Sequence, residues 1–329
     1  MFSNKLSLDY RKKSTPVEVN EDYQIENINN LPKDTLASPD VSIIIALRNE
    51  VNNLEKTIQS IVKSKNNLTF EIIIVDDGSI DGSCDFLKQN EELNRNITVI
   101  YSDTIGAAKC KNIGAINSKG KYLFFCDAHI EVPDNWLDTL VKTLNDLNAQ
   151  AIVPAVKSIG SDYKGYGGTW NNKLNFIWLD KPSEDTAEIP LAPGCAFGIK
   201  RDVFESVQGF DNNLQIYGVE DQELSLKLWL FGYKIVVDSS VEIAHLFKVN
   251  NSYKVTYADI MYNYLCLCYF HFSDKNFSKA IIALSQNKLF TTAAAKALTN
   301  ENLMKQRKDY LSRRKYDDYW FFDKFNIEF

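Results

Sequence analysis

The side chains best equipped for chemistry are Asp127 and His129, which close the run Lys121-Tyr-Leu-Phe-Phe-Cys-Asp-Ala-His. Apolar residues followed by a carboxylate and an imidazole read as a buried strand that delivers two divalent-metal ligands at its end. The chain has three histidines. The second, His245 in Glu242-Ile-Ala-His-Leu-Phe, follows another apolar strand and is the candidate third ligand. One hard oxygen with imidazole nitrogen suits Mn²⁺ or a similar borderline ion better than Mg²⁺ alone. Such a trio implies an enzyme that grips a diphosphate through a metal.

Two acidic clusters accompany it. Asp76-Asp77-Gly78-Ser79 ends another apolar run. It reads as an Asp-Gly turn, or, at a binding rim, as a carboxylate (Asp77) that accepts from a pyrimidine N–H or a ribose hydroxyl. Glu220-Asp221-Gln222-Glu223 opens a helix, where acidic side chains complement the helix dipole. Glu220 or Asp221 can also serve there as the general base that deprotonates an incoming hydroxyl. Lys109 and Lys111, on an earlier helix, are candidates to offset a diphosphate, although helical lysines are usually solvated.

Alternating elements must position these groups. Val41–Leu47, Phe70–Asp76, Ile97–Tyr101 and Tyr122–Cys126 read as strands. Between them lie a helix with Leu54, Ile58, Ile61 and Val62 on one face, a short helix after Asp81 carrying Phe86 and Leu87, and a helix over Gly106–Ser118. This spacing predicts βαβ units and a largely parallel sheet whose right-handed crossovers bring the strand exits after Ala46, Val75 and Cys126 to one rim. An amphipathic helix over Trp136–Leu147 and strands at Ala151–Val156, Ala196–Ile199 and Lys234–Val237 follow, with a helix over Glu220–Phe231. Residues 157–193, rich in Gly, Asp, Ser and Pro with interspersed Trp170, Phe176 and Trp178, read as a binding loop or lid.

The flanks differ. Residues 1–39 carry few apolar positions and read as a tail or packing arm, and residues 249–329 are aromatic and helical without Gly or Pro. Interleaved acidic and basic residues in the last stretch favour helices packed on the main domain over a membrane-surface helix. A net charge of −6 argues against phosphate-neutralising nucleic-acid binding. The six cysteines form no C-x-x-C pair, and Cys266 and Cys268 read as small core residues in a reducing compartment. No secretory apolar region precedes the domain, and the most apolar stretch, Ile260–Phe272, falls short of the ~20 residues a spanning helix needs.

The ordered set Val75-Asp-Asp-Gly-Ser, Phe125-Cys-Asp-Ala-His-Ile-Glu-Val, Gly167-Gly-Thr-Trp-Asn, Pro193-Gly-Cys-Ala-Phe-Gly-Ile-Lys-Arg, Gly209-Phe-Asp, Gly218-Val-Glu-Asp-Gln-Glu-Leu-Ser and Ala244-His-Leu-Phe-Lys resembles GT-A glycosyltransferases of the family 2 type. The resemblance covers residues 40–248, and its second half is similar to the polypeptide N-acetylgalactosaminyltransferases. It implies a GT-A fold: an α/β, Rossmann-like, mixed and mostly parallel sheet flanked by helices, here with a helical C-terminal extension. It also implies that Asp77 contacts uracil beside Ala46, Arg48 and Glu50 of the first strand's exit loop. Asp127, His129 and His245 would hold Mn²⁺ (or Mg²⁺) against a UDP diphosphate, with Lys109 nearby. Gly194 and the 220–223 turn would border the donor sugar and acceptor, and Trp170 would be a stacking platform for sugar. One departure stands out. The aminosugar-transferring relatives usually read Gly-Glu-Asn where this chain has Glu220-Asp221, and that Asp is typical of the base in inverting family 2 enzymes. The sugar-binding lectin domain of the animal enzymes has no counterpart here, so a glycoprotein acceptor is not implied.

The expectation is a cytoplasmic, metal-dependent transferase that moves a hexose or N-acetylhexosamine from a UDP-sugar to a hydroxyl acceptor (glycan, lipid-linked or peptide), with inversion. Peripheral membrane contact through the C-terminal helices and a homo-oligomer stay open. A sugar nucleotidyltransferase would carry a Gly-rich loop after the first strand, where this chain has Leu47-Arg48-Asn49-Glu50. A non-catalytic nucleotide-sugar-binding module is the other alternative.

Overall fold

A computed structural model describes residues 23–26, 38–89, 96–248 and 252–329. The chain begins with β1 (Tyr23–Glu26) and β2 (Val41–Leu47), then α1 (Leu54–Lys63), β3 (Phe70–Asp77), β4 (Ile97–Ser102), α2 (Ala107–Ile116) and β5 (Tyr122–Cys126). It continues with β6 (Ile130–Glu131), α3 (Trp136–Asp146), β7 (Ala151–Ser158), β8 (Lys164–Gly165), β9 (Gly168–Trp170), β10 (Phe176–Trp178), β11 (Thr186–Glu188), β12 (Ala196–Lys200), α4 (Arg201–Ser206), α5 (Glu220–Leu230) and β13 (Ile235–His245). Five helices end it: α6 (Tyr257–His271), α7 (Asp274–Leu284), α8 (Phe290–Leu298), α9 (Asn302–Arg313) and α10 (Asp318–Lys324).

The main sheet runs β1-β4-β3-β2-β5-β12-β7-β13-β11. β2, β3, β4 and β5 are mutually parallel, as are β7 and β13, while β12 runs antiparallel between β5 and β7. β12 therefore starts at the rim where β2, β3, β5 and β13 end. That geometry brings Gly194 and Cys195 to the same edge as Asp127, and the Asp127 amide donates to the Cys195 carbonyl at 3.0 Å. β6 pairs with the end of β13, Ile130 opposite His245, which sets His129 beside His245.

Both faces of the sheet are covered. Leu54, Ile58 and Ile61 of α1 are buried, whereas Val62, assigned to the same stripe, is exposed. Trp136, Leu137, Leu140, Val141 and Leu144 of α3 are buried, each such side chain contributing roughly 1.5–3 kcal/mol. On the other face, α2 lies so close to β2 that a Cβ at Gly114 would overlap Ile44.

Several boundaries differ from the sequence reading. The helix expected after Asp81 is a single 3₁₀ turn over Asp85–Gln89. Most of the arm at 1–39 lies outside the described residues, but Tyr23–Glu26 pairs antiparallel with β4. β13 is one strand of 11 residues that contains both Val237 and His245. A bulge interrupts it: Asp238 faces Pro154, and Glu242 faces Ala155. Asp238 holds this bulge by accepting from the Ser240 amide (3.0 Å) and hydroxyl (2.6 Å). The helices after 249 form no separate body, because Tyr262, Leu265, Phe270, Tyr310 and Phe321 share one core cluster with Ile44, Ile73 and Phe125. Among the described residues, no helix is long and apolar enough to cross a membrane.

Candidate functional site

The strand exits open into a crevice of about 950 Å³, lined by Ala46, Arg48, Asp77, Asp127, His129 and His245 among others. A second space of about 920 Å³ adjoins it and shares Lys111, Asp127, Tyr217, Glu220, His245 and Phe247.

Asp127, His129 and His245 each offer one ligand atom, and these lie within 4.8 Å of one another. Asp127 Oδ2 is 3.0 Å from His245 Nε2 and 3.8 Å from His129 Nε2. Burial alone would raise the Asp127 carboxyl, but the His245 hydrogen bond, the two histidines and Lys111 outweigh it and hold it at about 2. The side chain is therefore a carboxylate, as a metal ligand must be. Among the described residues, six buried side-chain polar atoms lack a hydrogen-bond partner, and three of them (Arg48 Nε, His129 Nδ1 and His245 Nδ1) belong to this crevice. A carboxylate and two imidazoles converging this closely fit a borderline divalent ion.

Glu50 stands behind the candidate metal ligands. Its Oε2 lies 3.4 Å from His129 Nδ1, and its Oε1 forms an ion pair with Lys248. Burial opposes its charge, yet His129, Lys248 and Asn53 bring its pKa down to about 2. Glu50 thus faces His129 through an electrostatic contact and ties down Lys248 after β13, which also donates to Ser252 at 2.9 Å. Arg48 lies over the ring of Tyr253, 5.3 Å from its centroid.

Asp77 lines the crevice, but loop 102–106 already engages both its oxygens. It accepts from Ser102 Oγ (2.9 Å), the Ile105 amide (2.7 Å) and the Gly106 amide (2.9 Å). Lys109 points elsewhere, into a shallow recess with Asn212 and Asn213. Lys111 is the lysine at the site. It falls on the sheet-facing stripe Ala107-Cys110-Lys111-Gly114, a spacing of i, i+3, i+4 and i+7 that was readable in the sequence. Buried, it sits 3.1 Å from Glu220 Oε1. Burial works against its charge, but Glu220, Asp127 and Asp221 overcome this and raise its pKa.

α5 brings Glu220 and Asp221 to the junction of the two spaces. Its entry is strained: Val219, β-branched, has φ +75°. Asp221 accepts from the Gly194 amide at 3.0 Å and from the Gln222 amide at 2.8 Å. Burial and Glu220 raise its pKa to about 6, against the pull of Lys111. A Cβ at Gly194 would come within 3.3 Å of Asp221 Cβ and 3.4 Å of Lys111 Nζ, so glycine keeps this junction open. Glu223 faces away from the crevice, into the core, 3.2 Å from Lys227 and 2.7 Å from His271.

Trp170 does not face the site. It is buried against Phe272, Phe321 and Phe322, and its Nε1 donates to Gln222 at 2.7 Å. Trp178 and Phe176 line the second space instead.

Residues 42–208 match the model of glycosyl transferase family 2, and residues 187–251 match the N-terminal domain of galactosyltransferase. The chain belongs to glycosyl transferase family 2. This family 2 chain is 29% identical over 271 residues to polypeptide N-acetylgalactosaminyltransferase 8 of Drosophila melanogaster, covering 76% of this chain and 43% of the relative. It is 29% identical over 242 residues to polypeptide N-acetylgalactosaminyltransferase 13 of Homo sapiens, covering 65% and 43%. The chain thus spans less than half the length of these curated relatives. Among solved structures, GalNAc-T7 with UDP, GalNAc and Mn²⁺ superimposes with a TM-score of 0.71 at 21% identity, covering 88% of this chain and 57% of that one. TarS 1-349 of S. aureus in complex with UDP gives 0.54 at 15%, covering 75% and 70%. Both likenesses establish the GT-A fold.

Proposed function

We propose that this family 2 chain is a metal-dependent glycosyltransferase. It moves a hexose or N-acetylhexosamine from a UDP-sugar to a hydroxyl acceptor, with inversion. The convergence of Asp127 Oδ2 with the ligand nitrogens of His129 and His245, beside Lys111 and Asp221, carries this reading. The three residues would hold Mn²⁺ or Mg²⁺, and UDP-bearing relatives of the same fold support the nucleotide. When bound, the ion neutralises charge that develops on the departing diphosphate.

The other roles belong to the chain itself. Arg48, with its unpaired Nε and its ring contact to Tyr253, meets the nucleotide at the crevice wall. Asp77 shapes that wall by fixing loop 102–106. Lys111 neutralises Glu220, which leaves Asp221 as the base. With a pKa of about 6, Asp221 is ionised at neutral pH yet basic enough to take the acceptor hydroxyl proton. Gly194 leaves room for the donor sugar next to that carboxylate.

Calorimetric titration of UDP with and without Mn²⁺ tests the reading. Binding should need the metal and should be lost in Asp127→Ala and His245→Ala. Metal-independent binding, or binding unchanged in both variants, overturns it. The anomeric configuration of the product, read by NMR, decides inversion against retention.

A further inference from the structure

The second space beside Asp221 has walls of an unusual kind. Trp178 meets Phe247 edge to face, with ring centroids 5.8 Å apart at 89°, and meets Phe176 at 5.4 Å and 85°. Phe247 in turn packs on His245 at 4.5 Å, so the aromatic wall is continuous with the metal ligands. Glycines seat the rings. A Cβ at Gly165 would overlap Trp178, and a Cβ at Gly168 would overlap Phe176. The two rings are therefore fixed against bare backbone, while Phe247 is 39% exposed.

The electrostatics are equally specific. Among the described residues that line this space, Lys111 is the only permanent cation, and Glu220 pairs with it. Asp127 is engaged by His245. Asp221 is left as the unneutralised carboxylate facing whatever enters. A phosphorylated acceptor would face that carboxylate with no further lysine or arginine among the described lining residues to offset it.

We propose that this aromatic wall is the acceptor subsite, and that it selects an uncharged pyranose ring, the non-reducing end of a neutral glycan. The proposal rests on the transferase reading above and names the acceptor class for it. A pyranose presents a flat C–H face to aromatic rings and hydroxyls to carboxylates, and Trp178 and Asp221 supply those partners from one space. Rings held rigid before binding lose little freedom on contact, which favours a rigid ring ligand.

The test uses the full chain with UDP and Mn²⁺. Saturation-transfer NMR probes binding of cellobiose, chitobiose, glucose 6-phosphate and a Ser/Thr-containing decapeptide, while UDP release probes transfer. The neutral disaccharides should give the strongest signal. Trp178→Ala should lose it and raise the acceptor KM by at least about ten-fold, a larger loss than any in UDP affinity. Trp178→Phe should retain most of it, which separates loss of the ring from loss of the fold. Preference for the phosphorylated sugar or the peptide overturns the proposal, as does an undiminished disaccharide signal in Trp178→Ala. Failure of wild-type UDP binding would instead sink the transferase reading, and the disaccharide NMR would still decide this one.

Discussion

Asn263, wholly buried on α6, donates to the carbonyl of Gly218 at 2.8 Å, one residue before the strained Val219 that starts α5. The same amide donates to the Gln215 carbonyl at 2.8 Å and accepts from the Gln215 amide at 2.7 Å. A C-terminal helix thus clamps the turn from which Glu220 and Asp221 emerge. Asn263→Ala strands these backbone groups and should cost roughly 2–4 kcal/mol of stability. With the turn released, kcat should fall more than UDP affinity does. Denaturant unfolding and steady-state kinetics check both, and equal loss of the two kinetic constants would remove the positioning role.

Asp221 predicts a pH profile. A base works only when ionised, so the rate should fall about ten-fold per unit below its pKa of about 6 and level off above. Lys111 lowers that pKa, so Lys111→Met should move the limb to higher pH. Asp221→Asn should lose roughly 10²–10⁴ in kcat while UDP still binds.

Glu50 touches His129 and Lys248 but is not among the proposed ligands. Glu50→Gln should weaken metal affinity by roughly 10–100-fold by releasing the imidazole from its orientation. Titration of Mn²⁺ in the presence of UDP measures it; wild-type affinity would confine Glu50 to anchoring Lys248.

The buried group of Glu223, Lys227, His271, Tyr310 and Asp211 predicts acid lability. Burial lowers the pKa of His271 against the pull of Glu223, so it is neutral when folded and binds a proton when unfolded. The unfolded state then binds more protons, and stability must fall as pH drops through about 6.5. Glu223, whose pKa is also lowered despite its burial because Lys227 and His271 favour its charge, acts in the same direction at lower pH. Thermal midpoints from pH 8 to 5 should show the first loss, and His271→Gln should flatten it. Tyr310→Phe, which strips Asp211 of a 2.8 Å hydrogen bond, should cost roughly 1–3 kcal/mol at any pH.

The strand exits and the Asp127, His129 and His245 set were legible because strand periodicity and metal-ligand chemistry are both local signals. Lys111 was half legible: its place in the Ala107-Cys110-Lys111-Gly114 stripe marks it, whereas Lys109 falls off that stripe. Trp170 was expected as the sugar platform, but it shares a short hairpin with Trp178, and only packing against the distant Phe272, Phe321 and Phe322 decides which of the two is covered. Nor does composition reveal that the helices within 257–324 share the core of the sheet. Asn263 lies within the apolar run Ile260–Phe272, and its role comes from carbonyl partners 45 to 48 residues away, which no local pattern reveals.

The bulge after Asp238 sets how far the chain reaches. Three residues, 239–241, are spent between Asp238 and Glu242 while the neighbouring strand spends none. Drawn straight, β13 would carry His245 three residues beyond its level at Ser158, roughly 10 Å past its partners. A variant lacking 239–241 would pair straight and still set Glu242 opposite Ala155 and His245 opposite Ser158; the imidazole's level depends on the turn that Asp238 holds, which takes the three surplus residues out of the strand.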